Sequence, residues 1–218
     1  MMRQTPSFLI FDWDNTLVDS WACLHKVINI TFKEMGREPW SMEEARERIA
    51  LSLRDHFPVL FGDRWEEARD IFYATFKQVH LDYLKPLAGM DEMLGELNGR
   101  GFLMGVVSNK TGALLREEAD HLGWSGYFHK LVGATDAARD KPAIDPVHLV
   151  LDGSGVTADG NVWFIGDAPV DMECAVNAGC RPILLRNHPP KASEFSRHPP
   201  EIVFKAPEDM LIYLESLG

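Results

Sequence analysis

The chain has 218 residues with 45% hydrophobic content, enough to bury one large core or a domain that carries an insertion. Its formal net charge of -11 argues against a nonspecific nucleic-acid surface, because such surfaces use clustered Lys and Arg to displace counterions from phosphates. Three cysteines, Cys23, Cys174 and Cys180, form no CxxC pair and no Cys/His ligand spacing, which argues against a disulfide framework or a zinc site and for a reducing compartment.

In chain order, SFLIFDW (7–13) reads as a buried strand. Residues 19–86 then hold helical patterns only: WACLHKVINITFKEM, SMEEARERIAL and RWEEARDIFYATFKQVHLDYL, the last stopped by Pro86 and Gly89. Between them LSLRDHFPVLFG (51–62) reads as a loop. Further strands follow at FLMGVVSN (102–109), FHKLVGA (128–134), NVWFIGD (161–167) and RPILLR (181–186), with an edge strand at EIVF (201–204). Asp145-Pro146 supplies a cap and first helical residue ahead of VHLVL, which Gly153 and Gly155 end. HPPKASEFSRHPP (188–200) reads as a surface loop.

Near-continuous apolar strands alternating with helices predict an α/β fold with a Rossmann-like parallel sheet core and helices on both faces. Residues 1–18 and 87–218 form that core, and 19–86 are an inserted small all-α domain. The apolar run before Asp12 is short for a signal peptide, and no uncharged stretch reaches the roughly 18 residues of a membrane span, so a soluble, cytoplasmic protein is expected. His25, His80, Trp13, Trp21, Trp40 and Trp65 read as packing residues.

Open parallel sheets gather ligands beyond the carboxyl ends of their strands. Asp12 and Asp14 stand at the first such end, Ser108 and Asn109 at the second, Asp167 at the fourth, and Lys141 in the loop after the third. Extended residues at i and i+2 share a face, so Asp12 and Asp14 are expected to point the same way while Trp13 packs elsewhere. Two carboxylates in one dry place require a proton or a cation between them. The further acids Asp167 and Asp171 favour the cation, and an all-oxygen site suits Mg²⁺ better than zinc. Such a centre, with a lysine, a serine and an asparagine nearby, is suited to a phosphoryl group: Asp12 as attacking carboxylate, Asp14 as proton donor and acceptor, Lys141 as neutralising charge.

DWDNTLVDS, SNK at 108–110, Lys141-Pro142 and GDAPVDMECAVNAG (166–179) together resemble the four motifs of the haloacid dehalogenase-like superfamily, in order and over most of the chain. Within it the chain looks most like the phosphoglycolate-phosphatase-like branch, whose helical cap is inserted where residues 19–86 stand. The resemblance implies Asp12 as nucleophile, Asp14 as general acid/base, and Mg²⁺ held by the Asp12 carboxylate, the Asp14 backbone carbonyl and Asp167, with Asp171 in support. Thr16, Ser108 and Asn109 would bind the phosphoryl group, and Lys141 would fix the nucleophile. Apart from the resemblance, the place of LSLRDHFPVLFG between helical patterns leaves two readings of Arg54 and His56: contacts to the non-phosphate end of the substrate, or a solvated arginine and a packing histidine. Ala168 departs from the pattern, since relatives often carry Ser or Thr there.

The expected function is Mg²⁺-dependent hydrolysis of a small phosphorylated metabolite, phosphoglycolate first, by a monomer or homodimer with no nucleic-acid or membrane partner. Asp14 and Asp167 speak against the metal-free dehalogenases of the superfamily. A phosphomutase or other phosphotransferase, and a non-catalytic regulatory protein retaining the fold, are the alternatives.

Overall fold

A computed structural model describes residues 4–49, 53–191 and 193–217, without the side chains at 47, 49 and 53–56. The chain runs through β1 (Phe8–Phe11), α1 (Trp21–Glu34), α2 (Met42–Ile49), α3 (Leu53–Phe61), α4 (Trp65–Tyr83) and α5 (Met90–Gly99). It continues with β2 (Met104–Thr111), α6 (Gly112–His121), β3 (Leu131–Ala134), α7 (Asp145–Leu151) and β4 (Val162–Gly166). It closes with α8 (Pro169–Asn177), β5 (Arg181–Leu185), β6 (Ile202–Phe204) and α9 (Pro207–Glu215). Two compact units result, one of Met1–Val18 with Pro86–Gly218 and one of Asp19–Lys85.

The first unit is a six-stranded parallel sheet in the order β3-β2-β1-β4-β5-β6. β1 is central, and each of its four residues is fully buried, which is why its sequence is a continuous apolar run with no polar alternation. Phe8 and Ile10 point to one face, where Phe164 of β4 joins them against Val147, Val150 and Leu151 of α7 and Cys174 and Ala175 of α8. Trp163, one residue along β4 and so on the other face, meets Tyr213 of α9 at 6.0 Å between ring centroids. Helices therefore cover both faces. β6 is an edge strand, and α7 begins at Asp145 behind Ile144, one residue before the expected start, with Pro146 tolerated in its first turn.

The second unit is helical. α1 contributes buried Val27, Ile28 and Phe32, and α4 contributes Phe72 and Phe76 at helical spacing. The expected loop at 51–62 is corrected: α3 occupies Leu53–Phe61 with Pro58 inside it. A proline there removes one helical hydrogen bond, yet Phe57 stacks on Phe61 at 5.4 Å and meets Phe72 edge-on at 5.6 Å, and Phe61 approaches Phe32 at 5.5 Å. Aromatic burial outweighs the lost bond. Among the described residues no helix is long and apolar enough to cross a membrane.

Candidate active site

The Asp12 N–H donates to the Ile165 carbonyl of β4 at 2.8 Å, so Asp12 is still held by the sheet as the strand ends. The chain then folds back tightly: the N–H groups of Leu17 and Val18 both donate to the Trp13 carbonyl, at 2.9 and 3.2 Å. Asn15 makes this possible with φ 62°, a left-handed conformation that asparagine adopts more readily than other residues with a side chain. The turn leaves Asp12 and Asp14 at its mouth and buries Trp13 completely.

Lys141, itself buried, places Nζ 2.6 Å from Asp12 Oδ1 and 2.7 Å from Asp171 Oδ1. Asp171 lies in the first turn of α8, where its Oδ2 accepts the Ala168 N–H at 3.0 Å, so this acid both starts a helix and faces the lysine. Asp167 follows β4. Its Oδ1 accepts the Thr16 hydroxyl at 3.3 Å, and its backbone carbonyl accepts Arg186 Nη1 at 3.0 Å. Carboxylate oxygens of Asp12, Asp167 and Asp171 all lie within 4.8 Å of one another.

Three carboxylates around one ammonium leave a buried excess of negative charge. Burial, aided by the Asp171 and Asp14 charges and opposed by Lys141, pushes the Asp12 carboxyl up to about 7. Burial and the charges of Asp171 and Asp12 hold Asp167 well above the ordinary carboxylate range. For Lys141 burial favours the neutral amine, but Asp12 and Asp171 outweigh it and keep the ammonium. A divalent cation would relieve this imbalance, and an oxygen-only donor set suits a hard one. Burial pushes the Cys174 and Cys180 thiols up to about 12, away from the reactive thiolate.

The structure brings Asp12, Asp167, Asp171 and Lys141 together and directs three other expected site residues differently. The Asp14 carboxylate leaves the acidic cluster and pairs with Lys110 Nζ at 2.8 Å. Asn109 donates from Nδ2 to the Lys141 carbonyl at 3.2 Å and accepts the Lys141 N–H on Oδ1 at 3.0 Å, so its amide clamps that loop. Thr16 is fully buried, and its hydroxyl donates to Asp167 Oδ1. Ser108 is buried, with Oγ accepting the Lys110 N–H at 3.1 Å. Arg54 and His56 fall on α3, but their side chains lie outside the described residues. Sequence reasoning quoted Lys110 within SNK without giving it a role, and missed Glu118 and Arg186. A signal existed for Glu118, an acid in step with buried Leu115 and Ala119 on the inward stripe of α6.

The haloacid dehalogenase-like hydrolase family profile matches residues 9–185. The chain is 29% identical over 177 residues to the phosphoglycolate phosphatase of Aquifex aeolicus, covering 81% of this chain and 83% of that protein. It is 25% identical over 210 residues to a Clostridium perfringens protein provisionally named pyrophosphatase PpaX, covering 96% and 98%. Its fold matches a solved haloacid dehalogenase-like hydrolase from Streptococcus pneumoniae with a TM-score of 0.86 at 22% identity, over 98% and 99% of the two chains.

Proposed function

Since the chain belongs to the haloacid dehalogenase-like hydrolase family, we propose that it is a Mg²⁺-dependent phosphatase of small phosphomonoesters that works through an aspartyl phosphate. The observation that carries the reading is Asp12, buried at the tip of the central strand, with an ammonium at 2.6 Å and two further carboxylates converging on it. A carboxylate in that setting is poised for an electrophile that brings its own negative charge only if that charge is offset.

Asp12 attacks phosphorus, forming an acyl phosphate as the bond to the ester oxygen breaks; Asp14 gives a proton to the departing alkoxide. Asp14 then takes a proton from the water that attacks the phosphoenzyme, releasing phosphate and restoring the Asp12 carboxylate. Lys141 holds the attacking oxygen and offsets charge throughout, while Ser108, buried within β2, is offered to the phosphoryl oxygens. Oxygens of Asp12 and Asp167 and the Asp14 backbone carbonyl would hold Mg²⁺, with Asp171 in support, and the ion would offset the negative charge of the nucleophile and of the phosphoryl group.

Phosphoglycolate is the first substrate to try, on the name of the Aquifex relative, and pyrophosphate the second, on that of the Clostridium relative. Phosphate release should appear with Mg²⁺ across a panel of phosphorylated metabolites, vanish in EDTA and vanish in Asp12→Asn. Full activity in chelator would refute the metal assignment, and activity in Asp12→Asn would refute the nucleophile.

A further inference from the structure

Asp14 sits on a turn after β1, bridged to Val18. Such a carboxylate has rotamers to choose from, while proton transfer to a leaving oxygen requires placement within hydrogen-bond reach. The group that meets it is Lys110, at the end of β2, with Nζ 2.8 Å from Asp14 Oδ1. A lysine is a flexible tether by itself.

This one is anchored. Lys110 Nζ also reaches Glu118 Oε2 at 2.5 Å, and the same oxygen accepts the Trp13 indole N–H at 2.6 Å. Glu118 is 1% exposed on α6, and Trp13, the residue between the two motif aspartates, is fully buried edge-on to Trp124 at 5.7 Å. The contacts close a ring: the Trp13 side chain to Glu118, Glu118 to Lys110, Lys110 to Asp14, and Asp14 back to Trp13 through their shared peptide. A buried glutamate in an apolar helix stripe is costly unless its partners satisfy it, as these do.

We propose that Lys110, locked by Glu118 and Trp13, is a positioning residue that aims the Asp14 carboxylate at the leaving-group oxygen. The proposal rests on the reading of Asp14 as the acid of a phosphatase. A purely structural ion pair would matter equally for every substrate. A positioning device matters most where the leaving group needs a proton.

The experiment compares kcat/KM, which reports events up to alcohol release, for p-nitrophenyl phosphate and for phenyl phosphate, whose leaving oxygen is far more basic. Wild type, Asp14→Asn, Lys110→Met, Lys110→Arg, and Lys110→Met with Glu118→Gln are assayed with Mg²⁺, and melting curves check that each is folded. The double variant leaves no buried unpaired charge, because the glutamine carbonyl still accepts the Trp13 N–H. Lys110→Met and the double variant should lose about 10- to 100-fold more on phenyl phosphate than on p-nitrophenyl phosphate, the same direction of selectivity as Asp14→Asn and no larger than the lower end of what general acid catalysis contributes, about 100-fold. Lys110→Arg should recover part of that ratio by restoring the charge. Equal losses on both esters, or no loss, in folded Lys110 variants would overturn the inference while leaving the phosphatase reading intact. Wild type that hydrolyses neither ester, or Asp14→Asn without leaving-group selectivity, would overturn the underlying reading and the inference with it.

Discussion

Gly166 closes β4 immediately before Asp167, in a backbone conformation open to any residue, so what keeps it a glycine is space. A Cβ added there would stand 2.4 Å from Asp171 Cβ, Cγ and Oδ2. Ordinary carbon contacts begin at roughly 3.5 Å, so Gly166→Ala must drive Asp171 off by about 1 Å. Asp171 is fully buried and its Cβ belongs to the first turn of α8, which leaves no flexible end to yield. A shift of that size breaks the 2.7 Å contact with Lys141 and the 3.0 Å bond from Ala168. Breaking a buried ion pair costs about 3 to 5 kcal/mol, which for a domain of this size is a melting point lower by roughly 6 to 20 °C. Because Lys141 also holds Asp12, turnover should fall about 100-fold, the penalty of a misplaced reacting group. Melting followed by circular dichroism and phosphate release measure the two effects. Gly160→Ala, which meets open space, is the control and should match wild type. Wild-type melting and turnover in Gly166→Ala would refute the close-packing argument.

Arg186→Met removes the donor to the Asp167 carbonyl and the paired contacts to Glu194 at 2.7 and 2.8 Å; metal affinity, read by calorimetric titration with Mn²⁺, should weaken about 10-fold, and Arg186→Lys should not restore it because a point charge cannot make both sets of bonds. Asn29→Ala loses two 2.8 Å bonds that fasten the Trp40 peptide to α1, a cost of about 1 to 3 kcal/mol; hydrogen exchange should accelerate around residues 36–41 and stay unchanged in β1. In EDTA, stability should fall as pH rises from 5 to 8. The fold raises Asp12 from 3.8 to about 7 and raises Asp167, so across that window the folded state holds protons that the unfolded chain has released. Urea melts at fixed pH test this, saturating Mg²⁺ should flatten the trend, and metal-free stability that rose toward pH 8 would contradict it.

The acidic cluster was legible because chemistry forces unusual residues onto the ends of apolar strands: Asp12 after FLIF and Asp167 after VWFIG interrupt runs that are otherwise all buried. Strand interiors followed from the same contrast. Boundaries followed less well. β2 extends to Thr111 beyond its expected end at 109, and β3 begins only at Leu131, since hydrogen bonds and not hydropathy set where pairing stops. α3 escaped because Pro58 argues locally against a helix, while the rings that hold it come from Phe32 and Phe72, distant in sequence. Lys110 and Glu118 escaped for a related reason. Lys110 stands in the SNK motif and Glu118 on the inward stripe of α6, but neither position names its partner until the fold brings both to Trp13.

β1 carries a further implication. Its two flanks are bonded to β2 and β4, so its amides can exchange with solvent only when the whole sheet comes apart. The Asp12 carboxylate, our proposed nucleophile, follows directly on that strand. Heat or urea should therefore extinguish turnover in the same cooperative step that dissolves the sheet, and a weakened core variant should yield fewer competent molecules, each working at full speed.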